Sequence, residues 1–282
     1  MTLAVRAPGK VNLCLFLGAP REDGLHPLVS IVQPVSLADV LWLETGDAED
    51  RVHCPGVEGP NLVGHAIQAF RRATGWDGPP VTIHVDKRVP VAAGMGGGSG
   101  DAAAALRLLS AHSGLPLPAE IAMGLGADVP SQLDPRRCLM TGAGEHIAPL
   151  PDGSPAALVI VPSTHALSTP RVFREADRLG IGRPPDELAA LEARLAPGVF
   201  EPKDAVNDLE AAARSLCPSI DDALQTLADA GADVCMVSGS GPTVYGTFGT
   251  LAAARAAAAR IPGAVAAKPV GAGFGAVYPR NH

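Results

Sequence analysis

Residues 89–109 have the sequence VPVAAGMGGGSGDAAAALRLL, in which a glycine-rich loop runs directly into an alanine-rich stretch. Glycine loses much backbone entropy on folding, so a cluster of glycines indicates positive φ angles or a ligand that approaches bare backbone. Apolar residues recur at helical spacing after Asp101, and Ser99 or Asp101 is predicted to cap the start of that helix. The loop therefore leads into a helix N-terminus, whose free N–H groups favour phosphate. A mobile surface turn is the alternative interpretation.

Two common phosphate-binding fingerprints do not fit this loop. A Walker-type P-loop needs Gly-Lys followed by Ser or Thr, but the Gly-Lys pair at residues 9–10 is followed by Val11. The dinucleotide pattern G-x-G-x-x-G also fails, because Ser99 follows Gly94 and Gly96 where the third glycine belongs. A phosphate site here would belong to another kind of protein.

The composition predicts a globular protein with a small-molecule partner. The chain has 282 residues, of which 47% are hydrophobic, and this length allows one large or two ordinary domains. The formal net charge of −7 and the pI near 5.6 argue against broad binding to nucleic acid or to anionic membranes.

The cysteines and the N-terminal residues predict a cytosolic protein. The five cysteines are scattered and never spaced as C-x-x-C, which is typical of reduced core thiols. The first residues, MTLAVRAPGK, lack the pattern of a signal peptide, and no apolar run approaches the roughly 20 residues of a membrane span.

Hydrophobic periodicity predicts an α+β fold in which helices alternate with separated strands. Strands are predicted at residues 3–18, 28–44, 81–85, 157–161, 234–237, 244–248 and near Val265, with a hairpin across residues 141–145. Helices are predicted at residues 61–73, after the glycine loop, and at 119–125, 170–178, 186–195, 207–217, 220–230 and 251–260. Prolines and an Asp-Gly turn at residues 149–155 interrupt all periodicity and predict a domain boundary.

Three segments resemble, in order, the three motifs of the GHMP small-molecule kinases: APGKVNLCLFLG, P-x-x-x-G-M-G-G-G-S and VSGSGPTVYG. The segments GKVNLCL, EDGLHPL, GGGSGDAAAAL, LGADVP and AVNDLE are similar to one branch of that family, and the resemblance spans most of the chain. It implies two domains: a ribosomal-protein-S5-like ATP-binding domain at residues 1–152 and a ferredoxin-like α/β sandwich at residues 153–282.

For that branch the resemblance implies ATP-dependent phosphorylation of the 2-hydroxyl of a cytidine-diphosphate-linked methylerythritol, in the non-mevalonate isoprenoid pathway. It implies ATP and Mg²⁺ as cofactors, and no nucleic-acid or membrane partner. It also implies a monomer or weak homodimer. Such chemistry needs positioning, charge neutralisation and a base rather than covalent help from the protein.

The resemblance places the ATP site on the loop that opened the argument. The residues it assigns to ATP are Gly94, Gly96, Gly97, Gly98, Ser99 and Asn61. The family usually has a second serine after Ser99, but here that residue is Gly100. The loop thus lacks a hydroxyl that could serve phosphate or Mg²⁺, which leaves the coordination of the metal open.

Asp128 and Lys10 are the candidate catalytic residues. Asp128 lies between Gly126 and Pro130, a sharp stop that can aim a carboxylate, although an aspartate in such a turn is more often structural. Lys10 lies within an apolar strand, where an ammonium must be paired or at a strand end. The resemblance implies that Lys10 pairs with Asp128 as the base, and that Asn12 binds substrate close by.

The resemblance also assigns the acceptor site. His26 is expected to hydrogen-bond the cytosine, Leu25 replaces the usual aromatic residue, and Phe173 is a plausible stacking partner that would otherwise be core. The second glycine loop is expected near the acceptor, and its residues are Ser238, Gly239, Ser240 and Gly241. A tight turn between strands is the simpler interpretation of that loop.

Other functions stay open at this point. Within the superfamily the alternatives are kinases of the homoserine, mevalonate or phosphomevalonate type, which the segments GADVP and EDGLHPL disfavour. A non-catalytic binding protein or an RNA-binding module would share the fold. The presence of both Lys10 and Asp128, with the acidic pI, argues against these two.

Overall fold

Two long antiparallel strands, β1 (Leu3–Leu17) and β2 (Leu28–Thr45), run through the N-terminal half of the chain. The computed structural model describes residues 2–46, 48–57, 59, 61–91, 93–153 and 156–280. The elements that follow are β3 (Arg51–His53), α1 (Leu62–Thr74), β4 (Val81–Asp86), α2 (Gly97–Ser113), α3 (Ala122–Leu125), α4 (Val129–Leu133), β5 (Cys138–Gly142) and β6 (His146–Pro149). A 3-10 turn at Ala119–Ile121 leads directly into α3.

The C-terminal half continues the alternation of strands and helices. Its elements are β7 (Ala157–Val161), α5 (Thr169–Arg178), α6 (Pro185–Leu195), α7 (Glu210–Leu216), α8 (Ser219–Asp229), β8 (Cys235–Val237), β9 (Val244–Phe248), α9 (Leu251–Ala258), β10 (Val265–Ala267) and β11 (Tyr278–Pro279). A second 3-10 turn, Pro202–Asp204, lies between α6 and α7. The predicted α+β class is confirmed.

Within the described residues the strands form two sheets. The first has seven strands in the order β11-β1-β2-β4-β3, and β5 pairs with β2 and β6. The second has four antiparallel strands in the order β10-β7-β9-β8. The last strand, β11, returns to pair with β1.

Strand β1 ties the two halves together, because its apolar residues belong to different cores. Val5 and Ala7 pack in a cluster with α1 and α2, whereas Leu15 and Leu17 pack with residues of the second sheet and its helices. The backbone of Leu15 also bonds to the segment before α7, accepting from Asp208 N at 2.9 Å. Lys10 and Asn12 lie between these two ends of the strand, where the halves meet. The predicted boundary at 152/153 stays a prediction, and residues 154–155 of that segment lie outside the described ranges.

Helix α2 starts earlier than the sequence pattern predicts. It begins at Gly97 with Gly96 at the N-cap and has no side-chain cap, so the prediction that Ser99 or Asp101 caps it is wrong. Both residues lie inside the first turns, and Asp101 is buried. Residues 102–105 are four fully buried alanines, whose small side chains let α2 approach α1 and β1 closely.

The segment around Asp128 differs from the prediction in one respect. Gly126 ends α3 as expected, but Pro130 does not stop a helix. It lies in the first turn of α4, a position that proline tolerates because the N–H it lacks would have no partner there. Asp128 therefore occupies the N-cap position of a short helix.

No helix in the described part of the chain is long and apolar enough to cross a membrane.

Candidate active site

A cavity of about 490 Å³ lies where loops from both halves of the chain meet. The sequence-predicted residues that line it are Lys10, Asn12, Gly94, Gly96, Gly97, Gly98, Ser99, Asp128, Phe173, Gly239 and Ser240. Residues distant in sequence, from β1, the first glycine loop, α4, α5 and the second glycine loop, are thus brought into one site.

Lys10 and Asn12 enter the cavity from the same face of β1. The register with β2 shifts on either side of them, between Pro8 and Lys10 and between Asn12 and Cys14, and such irregularities often re-aim side chains at functional sites. Lys10 Nζ donates to Asn12 Oδ1 at 2.9 Å, and Asn12 Nδ2 donates to Ser30 Oγ at 2.7 Å. Ser30 Oγ donates in turn to the Cys14 carbonyl at 2.6 Å. The amide of Asn12 is engaged at both ends and aims Lys10.

Asp128 faces Lys10 across the cavity. Its Oδ2 lies 3.5 Å from Lys10 Nζ, and the lysine side chain is 5% exposed whereas that of Asp128 is 33% exposed. Although Asp128 holds the N-cap position, its side chain makes no capping bond to the described backbone of α4. The buried ammonium therefore has oxygen partners in Asn12 and Asp128, and the carboxylate keeps a side open to the cavity.

The first glycine loop is fixed against both strands and the second loop. Lys10 N donates to the Met95 carbonyl at 2.9 Å, and Ser238 Oγ donates to the Gly94 carbonyl at 3.1 Å. Gly94 has a φ of +73°, and a Cβ there would lie 2.3 Å from the Ser238 carbonyl oxygen. Gly96 has a φ of +66°, and a Cβ there would lie 3.1 Å from the Lys10 side chain. Any larger residue at either position would displace the lysine or the second loop.

The missing second serine has a simple structural explanation. Gly100 is buried inside α2, and a Cβ built on it would lie 3.3 Å from the Pro8 carbonyl oxygen and 4.0 Å from Gln132 Oε1. Gly100 does not line the cavity, whereas Ser99 does. The Gln132 side chain is fully buried, and neither polar atom of its amide has a partner among the described residues. A hydroxyl at position 100 would thus face α4 and β1 rather than the cavity.

Three residues that sequence reasoning did not single out hold this site in place. Tyr245 donates from its hydroxyl to the Asn12 carbonyl at 2.9 Å, and burial raises the pKa of Tyr245 well above its usual value. Asn207 Nδ2 donates to the carbonyls of Val237 and Gly239 at 2.9 and 2.8 Å and so shapes the second loop. Ser30 is the third. Tyr245 and Asn207 stand in motifs quoted above, and this was the available signal.

A smaller pocket of about 160 Å³ adjoins the glycine loop and contains Asn61. Asn61 caps α1, because its Oδ1 accepts from Gly64 N at 3.1 Å. The other lining residues are Cys54, Val57, Leu62, Val63, Val85, Lys87, Val91, Gly98 and Asp101. Leu62 and Gly98 line both this pocket and the main cavity, so the two are contiguous.

A buried charged cluster forms one side of that smaller pocket. Lys87 Nζ lies 2.5 Å from Asp39 Oδ2 and 2.8 Å from Asp101 Oδ2. Burial raises the pKa of Asp101 to about 8, because it outweighs the opposing effect of Lys87. Burial would lower the pKa of Lys87, but the two carboxylates raise it above its usual value. Asp39 Oδ1 also accepts from Val89 N at 2.8 Å, which anchors the start of the loop.

The structure brings His26 and Phe173 together and leaves Leu25 apart. The ring centroids of His26 and Phe173 are 5.3 Å apart at an angle of 59°. His26 is buried, its Nδ1 lies 3.0 Å from the Gly18 carbonyl oxygen, and its Nε2 lies 3.3 Å from Asp177 Oδ1. Leu25 is 49% exposed, and neither it nor His26 lines the main cavity as Phe173 does.

In the second loop Ser240 is linked to α5, since its Oγ lies 3.0 Å from Thr169 Oγ1. Ser238 is fully buried and contacts the first glycine loop, and Gly241 lies behind it against Val237. Gly239 and Ser240 line the cavity, whereas Ser238 and Gly241 support it.

Comparison with known proteins shows what the chain is similar to. Residues 61–134 match the model of the GHMP kinases N-terminal domain, and residues 188–267 match that of the GHMP kinases C-terminal domain. Three similar relatives are each described as 4-diphosphocytidyl-2-C-methyl-D-erythritol kinase. The protein of Kineococcus radiotolerans is 40% identical over 274 residues, covering 90% of this chain and 84% of the relative. That of Streptomyces coelicolor is 40% identical over 86% of each chain, and that of Methylorubrum extorquens is 43% identical over 92% and 94%.

Solved structures give the same picture. A crystal structure of 4-(cytidine 5'-diphospho)-2C-methyl-D-erythritol kinase aligns with a TM-score of 0.76 at 34% identity, covering 95% of this chain and 99% of that one. Homoserine kinase from Cytophaga hutchinsonii aligns with a TM-score of 0.69 at 16% identity, covering 98% and 97%. The second likeness shows a shared fold alone.

Proposed function

The chain belongs to the 4-diphosphocytidyl-2-C-methyl-D-erythritol kinase family of GHMP kinases, and we propose that the cavity between its two halves performs that family's phosphoryl transfer. The protein is an ATP-dependent small-molecule kinase. It transfers the γ-phosphoryl group of ATP to the 2-hydroxyl of the cytidine-diphosphate-linked methylerythritol, a step of the non-mevalonate isoprenoid pathway. The observation that carries the proposal is the Lys10–Asp128 pair, 3.5 Å apart, in the cavity formed by the two glycine loops.

The triphosphate of ATP would lie at the N-terminus of α2. Gly96, Gly97 and Gly98 leave backbone N–H groups uncovered there, and Ser99 adds a hydroxyl. The nucleoside would enter the contiguous smaller pocket beside Asn61, whose walls are largely apolar.

The cavity fits a magnesium ion that is bound mainly through the nucleotide. Mg²⁺ prefers octahedral oxygen ligands and usually keeps water and substrate phosphates, with only one or two protein carboxylates. Among the residues lining the cavity, Asp128 supplies the carboxylate and Ser99 a hydroxyl at its phosphate end, and these would hold the ion with ATP. When bound, Mg²⁺ supplies positive charge against the triphosphate.

Asp128 would act as the general base. Its carboxylate accepts the proton of the 2-hydroxyl as the oxygen bonds to the γ-phosphorus and the bond to the β,γ-bridging oxygen breaks, which releases ADP. Lys10 holds Asp128 ionised and orients the hydroxyl, and the bond from Lys10 to Asn12 fixes the lysine in turn.

The cytidine end of the acceptor would lie towards α5. Phe173 offers the base an aromatic face and His26 offers polar ring nitrogens beside it. The second loop, at Gly239 and Ser240, would contact the acceptor near its diphosphate. Leu25 supplies apolar contact in place of a second ring.

The direct test is an acceptor panel. The purified chain, with ATP and Mg²⁺, is assayed for ADP release with the cytidine-linked methylerythritol, homoserine, mevalonate or phosphomevalonate. We expect turnover with the cytidine-linked acceptor at least about 10²-fold above the others, since they lack the groups that the base pocket recognises. Preferential turnover of homoserine or mevalonate would refute the proposed acceptor but leave the kinase assignment intact.

A further inference from the structure

Asp177 carries no role in the mechanism above, yet its carboxylate faces the buried ring of His26. The His26 side chain is 4% exposed and that of Asp177 is 43% exposed. Asp177 follows Phe173 by four residues on α5, so both side chains lie on the face of the helix that covers His26.

Both ring nitrogens of His26 face oxygen acceptors. Nδ1 lies 3.0 Å from the carbonyl oxygen of Gly18, and Nε2 lies 3.3 Å from Oδ1 of Asp177. A carbonyl oxygen and a carboxylate oxygen both accept hydrogen bonds, whereas a neutral imidazole carries a single N–H. Both contacts are satisfied together only when each ring nitrogen carries hydrogen, and the carboxylate then balances the charge.

We propose that Asp177 is a positioning residue that keeps hydrogen on Nε2 of His26, and that this pair selects a cytosine over a uracil ring. The inference rests on the proposed function, because it concerns the base of the acceptor. It identifies a residue that none of the motifs contains and a property, discrimination between two pyrimidines, that the His26 ring alone does not secure.

The two pyrimidines differ on the edge that the pair would meet. Cytosine offers an amino hydrogen at C4 and an acceptor at N3, whereas uracil offers a carbonyl at C4 and an N3–H donor. Asp177 can accept from the amino group, and the hydrogen on Nε2 can be shared with N3. Uracil would place its carbonyl against a carboxylate and its N–H against an N–H.

The position of Phe173 supports this placement of the base. Phe173 lines the main cavity and its ring centroid lies 5.3 Å from that of His26. A base stacked on Phe173 therefore meets the same face of α5 that presents the accessible Asp177 carboxylate, with Nε2 of His26 3.3 Å behind it.

The test measures the ratio of dissociation constants for UDP and CDP by calorimetry. We expect the wild-type chain to bind CDP more tightly, and Asp177→Asn to lower its UDP/CDP ratio by about ten-fold. An asparagine amide can donate to a neutral Nε2, which would turn that nitrogen from a donor into an acceptor. Glu175→Gln is the matched control, because Glu175 lies on the same helix but bonds to Arg178 and Ser215. Its ratio should equal that of the wild type.

Each outcome decides between the alternatives. An unchanged ratio in a folded Asp177→Asn variant, or equal weakening of both ligands, would overturn the selective role of Asp177. A wild-type chain that does not prefer CDP would instead contradict the proposed function. If Asp177→Asn does not fold, ¹⁵N NMR of the wild-type imidazole decides: hydrogen on both nitrogens of His26 supports the pair, and a bare Nε2 overturns it.

Discussion

Adding a hydroxyl at position 100 should stabilise the fold and leave the requirement for Mg²⁺ unchanged. The Cβ of Gly100→Ser would point towards the Pro8 carbonyl and Gln132 Oε1, and an Oγ placed on it comes within hydrogen-bonding reach of the unpartnered, fully buried Gln132 amide. Pairing a buried polar group contributes about 1 kcal/mol. Serine is also about 0.5 kcal/mol better than glycine inside a helix.

Gly100→Ala separates these effects, because it adds the same Cβ at 3.3 Å from the Pro8 carbonyl without the hydroxyl. Alanine exceeds serine in helix propensity by about 0.5 kcal/mol, so propensity alone favours the alanine variant. Pairing with Gln132 should reverse that order and make serine the more stable by about 0.5 kcal/mol. In a Gln132→Met background the order should return to alanine over serine.

Urea unfolding of the four proteins measures these differences, and ADP release against Mg²⁺ concentration measures the metal requirement. If the serine-minus-alanine difference is the same with and without Gln132, the hydroxyl does not bond to that amide. If Gly100→Ser alone shifts the Mg²⁺ dependence, position 100 acts on the nucleotide end of the site, contrary to its direction in the structure.

Further predictions concern the acceptor pocket and the buried charged cluster. His26→Ala and Phe173→Ala should each raise KM for the cytidine-linked acceptor about ten-fold, with KM for ATP little changed; raised KM for ATP instead would mean that the pockets are exchanged. Leu25→Tyr should lower the acceptor KM by adding a second stacking face, and an unchanged KM would place the base elsewhere. Folded Asp101 has a pKa of about 8 against an ordinary value of 3.8, so the folded state holds a proton that the unfolded state has lost. Stability should therefore fall as pH rises between these values, and Asp101→Asn should flatten the urea-unfolding profile, whereas the exposed control Asp86→Asn should not.

Much of the fold followed from the sequence because long periodic segments depend on local pattern. Both long strands, β1 and β2, and the helix at Leu62–Thr74 lie within a residue or two of their predicted ends, since apolar spacing and the Asn61 cap specify them. The strands Arg51–His53 and Tyr278–Pro279 were missed, because segments of two or three residues carry no periodicity and owe their pairing to distant partners.

The candidate site divides in the same way. Lys10 and Asp128 were found through their motifs, but the sequence gives no sign that Gly100 faces Gln132 instead of the cavity, because helix phase depends on where α2 starts. Asp177 was missed for a related reason. It is one of many charged residues on an amphipathic helix, and its meeting with His26 depends on how α5 packs across the chain.

The central claim is that Asp128 removes the proton of the acceptor hydroxyl with Lys10 as its partner. Asp128→Asn keeps the shape of the side chain and removes its basicity, so kcat should fall at least about 10²-fold while ATP affinity stays nearly the same. Asp134→Asn, an exposed carboxylate paired with Arg136 at the end of α4, is the matched control and should keep wild-type turnover.

The decisive measurement is kcat for Asp128→Asn, Lys10→Ala and the double variant, at saturating ATP and acceptor. Because the two side chains act as one unit, the double variant should lose little more than the worse single variant. Near-normal turnover in a folded Asp128→Asn protein, or losses that multiply in the double variant, would contradict the account.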